Sequence, residues 1–176
     1  MNADHTHRLT DRFGRHVDYL RLSVTDRCNL RCIYCMSDDM TFLPRNEVLS
    51  LEELFEVAQA FVALGVRRIR LTGGEPLVRQ GLVELVKQLS TLPVELSMSS
   101  NGVLLRQHAQ ALADAGLSRL NISLDTLKAD RFRALTRHGE LRDVLAGMHA
   151  SRAAGFKRIK LNSVILRGRN DDEVLD

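Results

Sequence analysis

Cys28, Cys32 and Cys35 are the only cysteines in the 176-residue chain, and they fall in one run with the spacing Cys-x3-Cys-x2-Cys. Thiolates are soft ligands that select zinc, copper(I) or iron–sulfur clusters. Ordinary iron–sulfur clusters use four thiolates. Three closely spaced thiolates with no fourth suit a cubane with one iron left uncoordinated by protein. An open coordination position is what separates a reactive metal site from a closed structural one. A small molecule bound at that iron is placed to receive an electron. A disulfide pair fits poorly, because the count is odd and no secretory segment precedes the run. A zinc ion held by three cysteines and one of His5, His7 or His16 stays an alternative, although zinc sites usually pair Cys-x2-Cys with a second, separated pair. Three unligated thiols are the plainest alternative.

A second stretch offers close backbone approach. Gly73-Gly74 lets a ligand reach main-chain N–H and C=O groups, and Pro76 stiffens the exit of Gly73-Gly74-Glu75-Pro76. The same tetrapeptide alone also fits a plain strand-to-helix turn.

Both stretches follow segments that read as strands. In residues 18–24, Leu20, Leu22 and Val24 alternate with Tyr19, Arg21 and Ser23, a period of two. Ser50-Leu51-Glu52-Glu53 is a capping box opening an amphipathic helix that stops at Gly65. The cycle then repeats: strand 68–71, helix 79–90, strand 94–98, helix from Leu104 to Gly116, strand 119–124, a helix capped by Asp125 or Thr126, helix 140–154, and strand 158–165. Such alternation implies right-handed βαβ units and a parallel sheet. The fold expected from this pattern is α/β with a parallel sheet. In such folds chemistry gathers at the carboxyl ends of strands. The cysteine run follows strand one and Gly-Gly-Glu-Pro follows strand two. Ser99-Ser100-Asn101-Gly102 follows strand three, Ser123 lies near the end of strand four, and Lys160 lies in strand five. Residues 1–17 are mostly polar and read as a lead-in with a turn around Gly14; residues 18–176 read as one domain.

Composition narrows the class. Apolar residues make up 44% and the net charge is +3, which suits a globular domain with a local anion pocket rather than wholesale nucleic-acid coating. No apolar run is long enough to span a bilayer, and the N-terminus lacks a signal-type segment. A cytoplasmic location is expected, where thiols stay reduced. Met36, Met40, Met98 and Met148 are expected to be packing residues, and His138 a surface one.

The cysteine run with an aromatic before its last member, followed by Gly-Gly-Glu-Pro, resembles the radical S-adenosylmethionine (SAM) superfamily. The strings Asp11-Arg12-Phe13-Gly14-Arg15, Tyr19 through Cys32, and Arg70-Leu71-Thr72-Gly73-Gly74-Glu75-Pro76-Leu77-Val78-Arg79 resemble its molybdenum cofactor biosynthesis protein A branch, the GTP 3′,8-cyclases. The resemblance implies an incomplete TIM-like (β/α) barrel truncated after about five strands, and that Cys28, Cys32 and Cys35 hold a [4Fe–4S] cluster whose open iron binds SAM. It implies that a 5′-deoxyadenosyl radical abstracts hydrogen from the ribose of GTP, and that the sugar C3′ attacks C8 of guanine. It implies that Tyr34, Gly74 and Ser123 contact SAM, that Arg21, Arg70, Ser99 and Lys160 contact GTP, and that an external electron donor serves the cluster. The family usually has threonine where Ser99 stands.

One departure stands out. The family carries a second three-cysteine cluster in a C-terminal portion, and no cysteine follows Cys35 here. The sequence therefore resembles an amino-terminal half, and a non-catalytic cluster- or metal-binding module is the alternative reading. A missing sixth strand leaves an edge that keeps a homodimer open.

Overall fold

The computed structural model describes residues 9–37 and 39–174. Five strands, β1 (Tyr19–Ser23), β2 (Arg68–Thr72), β3 (Glu95–Ser100), β4 (Arg119–Ser123) and β5 (Ile159–Asn162), form one all-parallel sheet in the order β1-β2-β3-β4-β5. Between them run α1 (Leu51–Ala63), α2 (Leu82–Leu89), α3 (Leu105–Asp114), α4 (Ala129–Thr136) and α5 (Leu141–Ala153). Parallel neighbours need crossover connections, and these are right-handed. When strand order simply follows chain order, every such crossover falls on the same side of the sheet. One face is thus covered by helices and the other is bare of them, as in part of a barrel wall.

The side chains obey this division. Leu20, Leu22, Ile69, Leu71, Leu96, Met98, Leu120, Ile122 and Ile159 alternate onto the helix side and join the core with Leu54, Ala58, Leu85, Val86, Leu89, Leu105 and Leu112 from the helices. The opposite face carries Arg21 and Ser23, Arg70 and Thr72, Ser97 and Ser99, Asn121 and Ser123, then Lys160 and Asn162. Parallel strands buried on both faces read as continuous hydrophobic runs. Here every strand has one polar side.

The capping box is present: Ser50 Oγ accepts from the Glu53 N–H and the Glu53 carboxylate accepts from the Ser50 N–H. Asp11 organises the expected turn, accepting from the Phe13 and Arg15 N–H groups, with Gly14 at φ 78°.

Three sequence expectations are corrected. The helix after β4 begins at Ala129, and neither Asp125 nor Thr126 caps it. Thr126 Oγ1 accepts from the Lys128 N–H and donates to Glu173, while Asp125 is spent on two distant partners described below. Strand β5 stops at Asn162 rather than residue 165, because the Val164 N–H turns away to the Asp125 carboxylate at 2.9 Å and the Val164 carbonyl accepts from Asn170 Nδ2. Met98 is fully buried and Met148 packs on the core, but Met40 is 42% exposed and belongs to an open loop. His138 lies on the surface, as expected.

Candidate active site

The cysteine loop leaves β1 and crosses the carboxyl ends of the next three strands, each of which holds it at one point. At β2, the Gly74 N–H donates to the Thr25 carbonyl at 2.9 Å and the Glu75 N–H to the Arg27 carbonyl at 2.8 Å. A Cβ on Gly73 would lie 2.4 Å from the Thr25 oxygen, and one on Gly74 would lie 2.3 Å from the Arg27 oxygen. Gly73 also has φ 153°, inside the range side chains avoid. The two glycines are therefore required by the neighbouring strand of protein, whatever else approaches them.

At β3, Asn101 Nδ2 donates to Asn29 Oδ1 at 2.8 Å and lies 3.9 Å from Cys28 Sγ. At β4, the Tyr34 hydroxyl donates to Asp125 Oδ2 at 2.5 Å. Helix α4 adds a fourth hold: the Arg31 and Ile33 N–H groups donate to the Thr136 and Leu135 carbonyls. Arg31 also donates to the Cys28 and Leu30 carbonyls and, with Arg27, stands against the Phe42 ring.

Glu75 ties the rim together from below. It is fully buried, and its carboxylate accepts from the Leu77 N–H, the Ser100 hydroxyl and, at 2.7 Å, the Asn101 N–H. Burial pushes its carboxyl above the ordinary value, and the three donors oppose that shift. Glu75, Asn101 and Asp125 are site-building residues that sequence reasoning did not assign. Their one local signal is position, a polar residue shortly after the carboxyl end of a strand.

The thiols sit together on this loop. Cys28 and Cys32 are half-buried and Cys35 is exposed. Burial pushes the Cys28 thiol up; burial, and then the charges of Asp125, Cys28 and Cys35, push Cys32 up to about 11. Protonated thiols must release their protons to bind metal, so loading is favoured by rising pH. Of the histidines weighed as zinc ligands, His16 pairs with Thr10, while His5 and His7 lie outside the described residues. Among the described residues no three His, Cys, Asp or Glu groups form a single-ion site. Three soft thiols on one loop, with the Leu30 N–H 3.4 Å from the Cys28 sulfur, are a donor set that fits an iron–sulfur cluster.

The remaining expected residues meet on the helix-free face. Arg21 pairs with Arg70 in register, and Ser99 with Asn121 and Asn121 with Lys160. Arg70 is held in place: its Nε is 3.4 Å from Ser97 Oγ, its guanidinium stands 5.4 Å from the Tyr19 ring, and the Asn121 amide oxygen, turned toward it, accepts at 3.0 Å. Arg68 and Arg119, also on this face, pair with Asp18 and Glu95. Arg21, Arg70 and Lys160 have no carboxylate in ion-pair contact among the described residues. Ser123 is exposed at the end of β4, near the Tyr34–Asp125 contact. Tyr34 itself is 39% exposed. The Gly74 N–H is committed to the Thr25 carbonyl.

Residues 22–176 match the radical SAM superfamily. A GTP 3′,8-cyclase of Pseudomonas entomophila is 65% identical over 170 residues, covering 96% of this chain and 51% of its own length. The GTP 3′,8-cyclase 1 of Pseudomonas aeruginosa is 65% identical over 163 residues, covering 92% and 50%. The chain spans about half the length of the curated relatives it matches. Among solved structures, Streptococcus suis SuiB bound to S-adenosylmethionine superimposes with a TM-score of 0.66 at 18% identity, over 83% of this chain and 32% of that one. Methylornithine synthase does so with a TM-score of 0.65 at 20% identity, over 86% and 45%. At such identities these two likenesses speak to the fold, an open parallel sheet of the kind expected.

Proposed function

We infer the function from one premise: the chain belongs to the radical SAM superfamily. Membership implies a [4Fe–4S] cluster and SAM as cofactors. Cys28, Cys32 and Cys35 would hold the cluster. When bound, the two groups supply one-electron chemistry that ends in hydrogen abstraction from a substrate carbon. The chain's own residues then bind, orient and shield.

On that premise the chain forms part of a GTP 3′,8-cyclase of molybdenum cofactor biosynthesis, acting in the cytoplasm with an external electron donor. Gly74 offers its carbonyl to the SAM amino group, Ser123 a hydroxyl, and Tyr34 an aromatic flank for the adenine, held by its bond to Asp125. Arg21, Arg70 and Lys160 take the phosphates of GTP, and Ser99 adds a hydroxyl beside them. Arginine brings a rigid fork suited to phosphate oxygens and lysine a point charge. The observation that carries this reading is the helix-free face. Three of its cations, Arg21, Arg70 and Lys160, have no carboxylate partner among the described residues, while Arg68 and Arg119 have theirs, and an anion of matching charge is what such a surface accepts. The curated relatives named GTP 3′,8-cyclase support the choice of that anion.

Anaerobic reconstitution tests the proposal. About four irons and four sulfides per chain are expected, with 5′-deoxyadenosine released on reduction with SAM, and with GTP retained in equilibrium dialysis. Colourless protein holding only zinc would defeat the cluster. A loaded chain that neither cleaves SAM nor retains GTP would favour the non-catalytic module.

A further inference from the structure

We propose that Asn101 sets the reduction potential of the bound cluster by donating an N–H to the Cys28 thiolate, a role that rests on the cluster reading above. Asn101 directly follows β3 and is fixed at every polar atom of its side chain. Its main-chain N–H donates to Glu75 at 2.7 Å. Its Oδ1 accepts from the Val103 N–H at 3.1 Å, which settles which end of the amide is oxygen. The Nδ2 group therefore brings two protons to the cysteine loop. Asn29 Oδ1 takes one at 2.8 Å, and the other faces Cys28 Sγ at 3.9 Å. The Leu30 N–H reaches the same sulfur at 3.4 Å.

The three cysteine corners are thus unequal. Cys28 has two N–H donors and feels the Glu75 charge, whereas Cys32 has the Asp125 carboxylate and the Tyr34 hydroxyl as neighbours. Hydrogen bonds to cluster sulfurs are among the levers that set potential. The reduced cluster carries one more negative charge than the oxidised one, so a donor aimed at a ligating sulfur stabilises it more. Asn101 acts through Cys28 and is a positioning residue, since it touches neither substrate nor reacting atoms.

Asn101 also shapes the turn after β3, so the test separates tuning from shape. Asn101→Asp keeps Oδ1 for Val103 and the main-chain bond to Glu75, and exchanges the donor for a carboxylate oxygen beside the sulfur. Asn101→Ser keeps a hydroxyl able to accept from Val103 but too short to reach Cys28. Both full chains are reconstituted anaerobically beside the parent, and the midpoint is read by electron paramagnetic resonance during redox titration without SAM. Iron content and melting temperature are measured on the same samples.

For Asn101→Asp the reduced-to-oxidised ratio at a fixed poise should fall tenfold or more, about 59 mV or more for a one-electron couple. Asn101→Ser should move the same way by less. Iron content should match the parent in both. Loaded variants with the parent's midpoint would overturn the proposal. So would loss of the cluster from both variants at parental melting temperature, because Asn101 would then be needed to build the site. A parent chain that takes up no cluster fails the underlying reading, and this inference with it.

Discussion

The two faces of the sheet share every strand and differ in almost everything else. On the helix side, Ile69, Leu71, Met98, Leu120 and Ile122 are fully buried among helix residues. On the other, Arg21, Ser23, Ser123, Lys160 and Asn162 stay exposed, with Arg70, Thr72 and Ser99 half-buried between them. Residues one apart in sequence thus meet opposite environments. The helix side provides the stability, because apolar burial is the dominant favourable term in folding. The bare side contributes little to it and instead presents hydrogen-bonding and charged groups. At the rim the two roles meet, where Glu75, Asn101 and Asp125 hold the cysteine loop with polar bonds that run from buried at Glu75 to exposed at Asp125.

Substitutions should sort by face, beginning with the largest cost. Ile122→Ala leaves a cavity under the helices and is expected to cost about 2–5 kcal/mol in urea unfolding. A cost below that range would mean the helices collapse onto the gap, and would blur the division. At the rim, Glu75→Gln puts an amide N–H against the Asn101 N–H or the Leu77 N–H, leaving a buried donor unpaired. About 1–3 kcal/mol is expected, with poorer cluster retention measured as iron per chain. On the bare face, Arg21→Ala and Lys160→Ala should each shift stability by no more than about 0.5 kcal/mol. GTP binding, by dialysis, should weaken about tenfold or more, as expected when a charged hydrogen bond is lost. Large destabilisation by either change would break the comparison.

The smallest effect belongs far from both faces. Arg131 pairs with Asp172 and Glu173, and the Leu127 N–H donates to Glu173. The Arg131 guanidinium holds the Asp172 carboxyl well below the usual range. A carboxyl depressed in the folded state stabilises above its unfolded value of about 3.9, and that contribution fades as pH falls through the folded value. The protection factor of the Leu127 amide, which corrects for the slowing of intrinsic exchange in acid, should therefore fall below about pH 4, with those of the sheet amides unchanged.

Much of this division is readable from the chain. The alternation of Leu20, Leu22 and Val24 with Tyr19, Arg21 and Ser23 is a local signal, and it sorts the two faces before any contact is known. So does the capping box at Ser50. The rim is different. Tyr34 meets Asp125, Asn101 meets Asn29, and Glu75 meets Asn101 across long stretches of chain. No local pattern encodes such pairings, so Asp125 reads as a helix cap and is instead claimed by Tyr34 and Val164. The same claim shortens β5, although Val164 and Ile165 are good strand formers. The glycines have a second reason that their sequence does not show. Gly-Gly-Glu-Pro reads as room for a ligand, and much of that room is taken by the backbone of residues 25–27.

A sheet whose faces alternate residue by residue has little tolerance for changes in strand length. Inserting one residue in the middle of β2 would send every side chain beyond it to the wrong side, with a guanidinium driven into oil and a leucine stranded in the mouth. Length changes are safer in the connecting loops, which can absorb them without reversing the wall. Homologous chains should therefore differ in the spacing between strands far more readily than in the count within them.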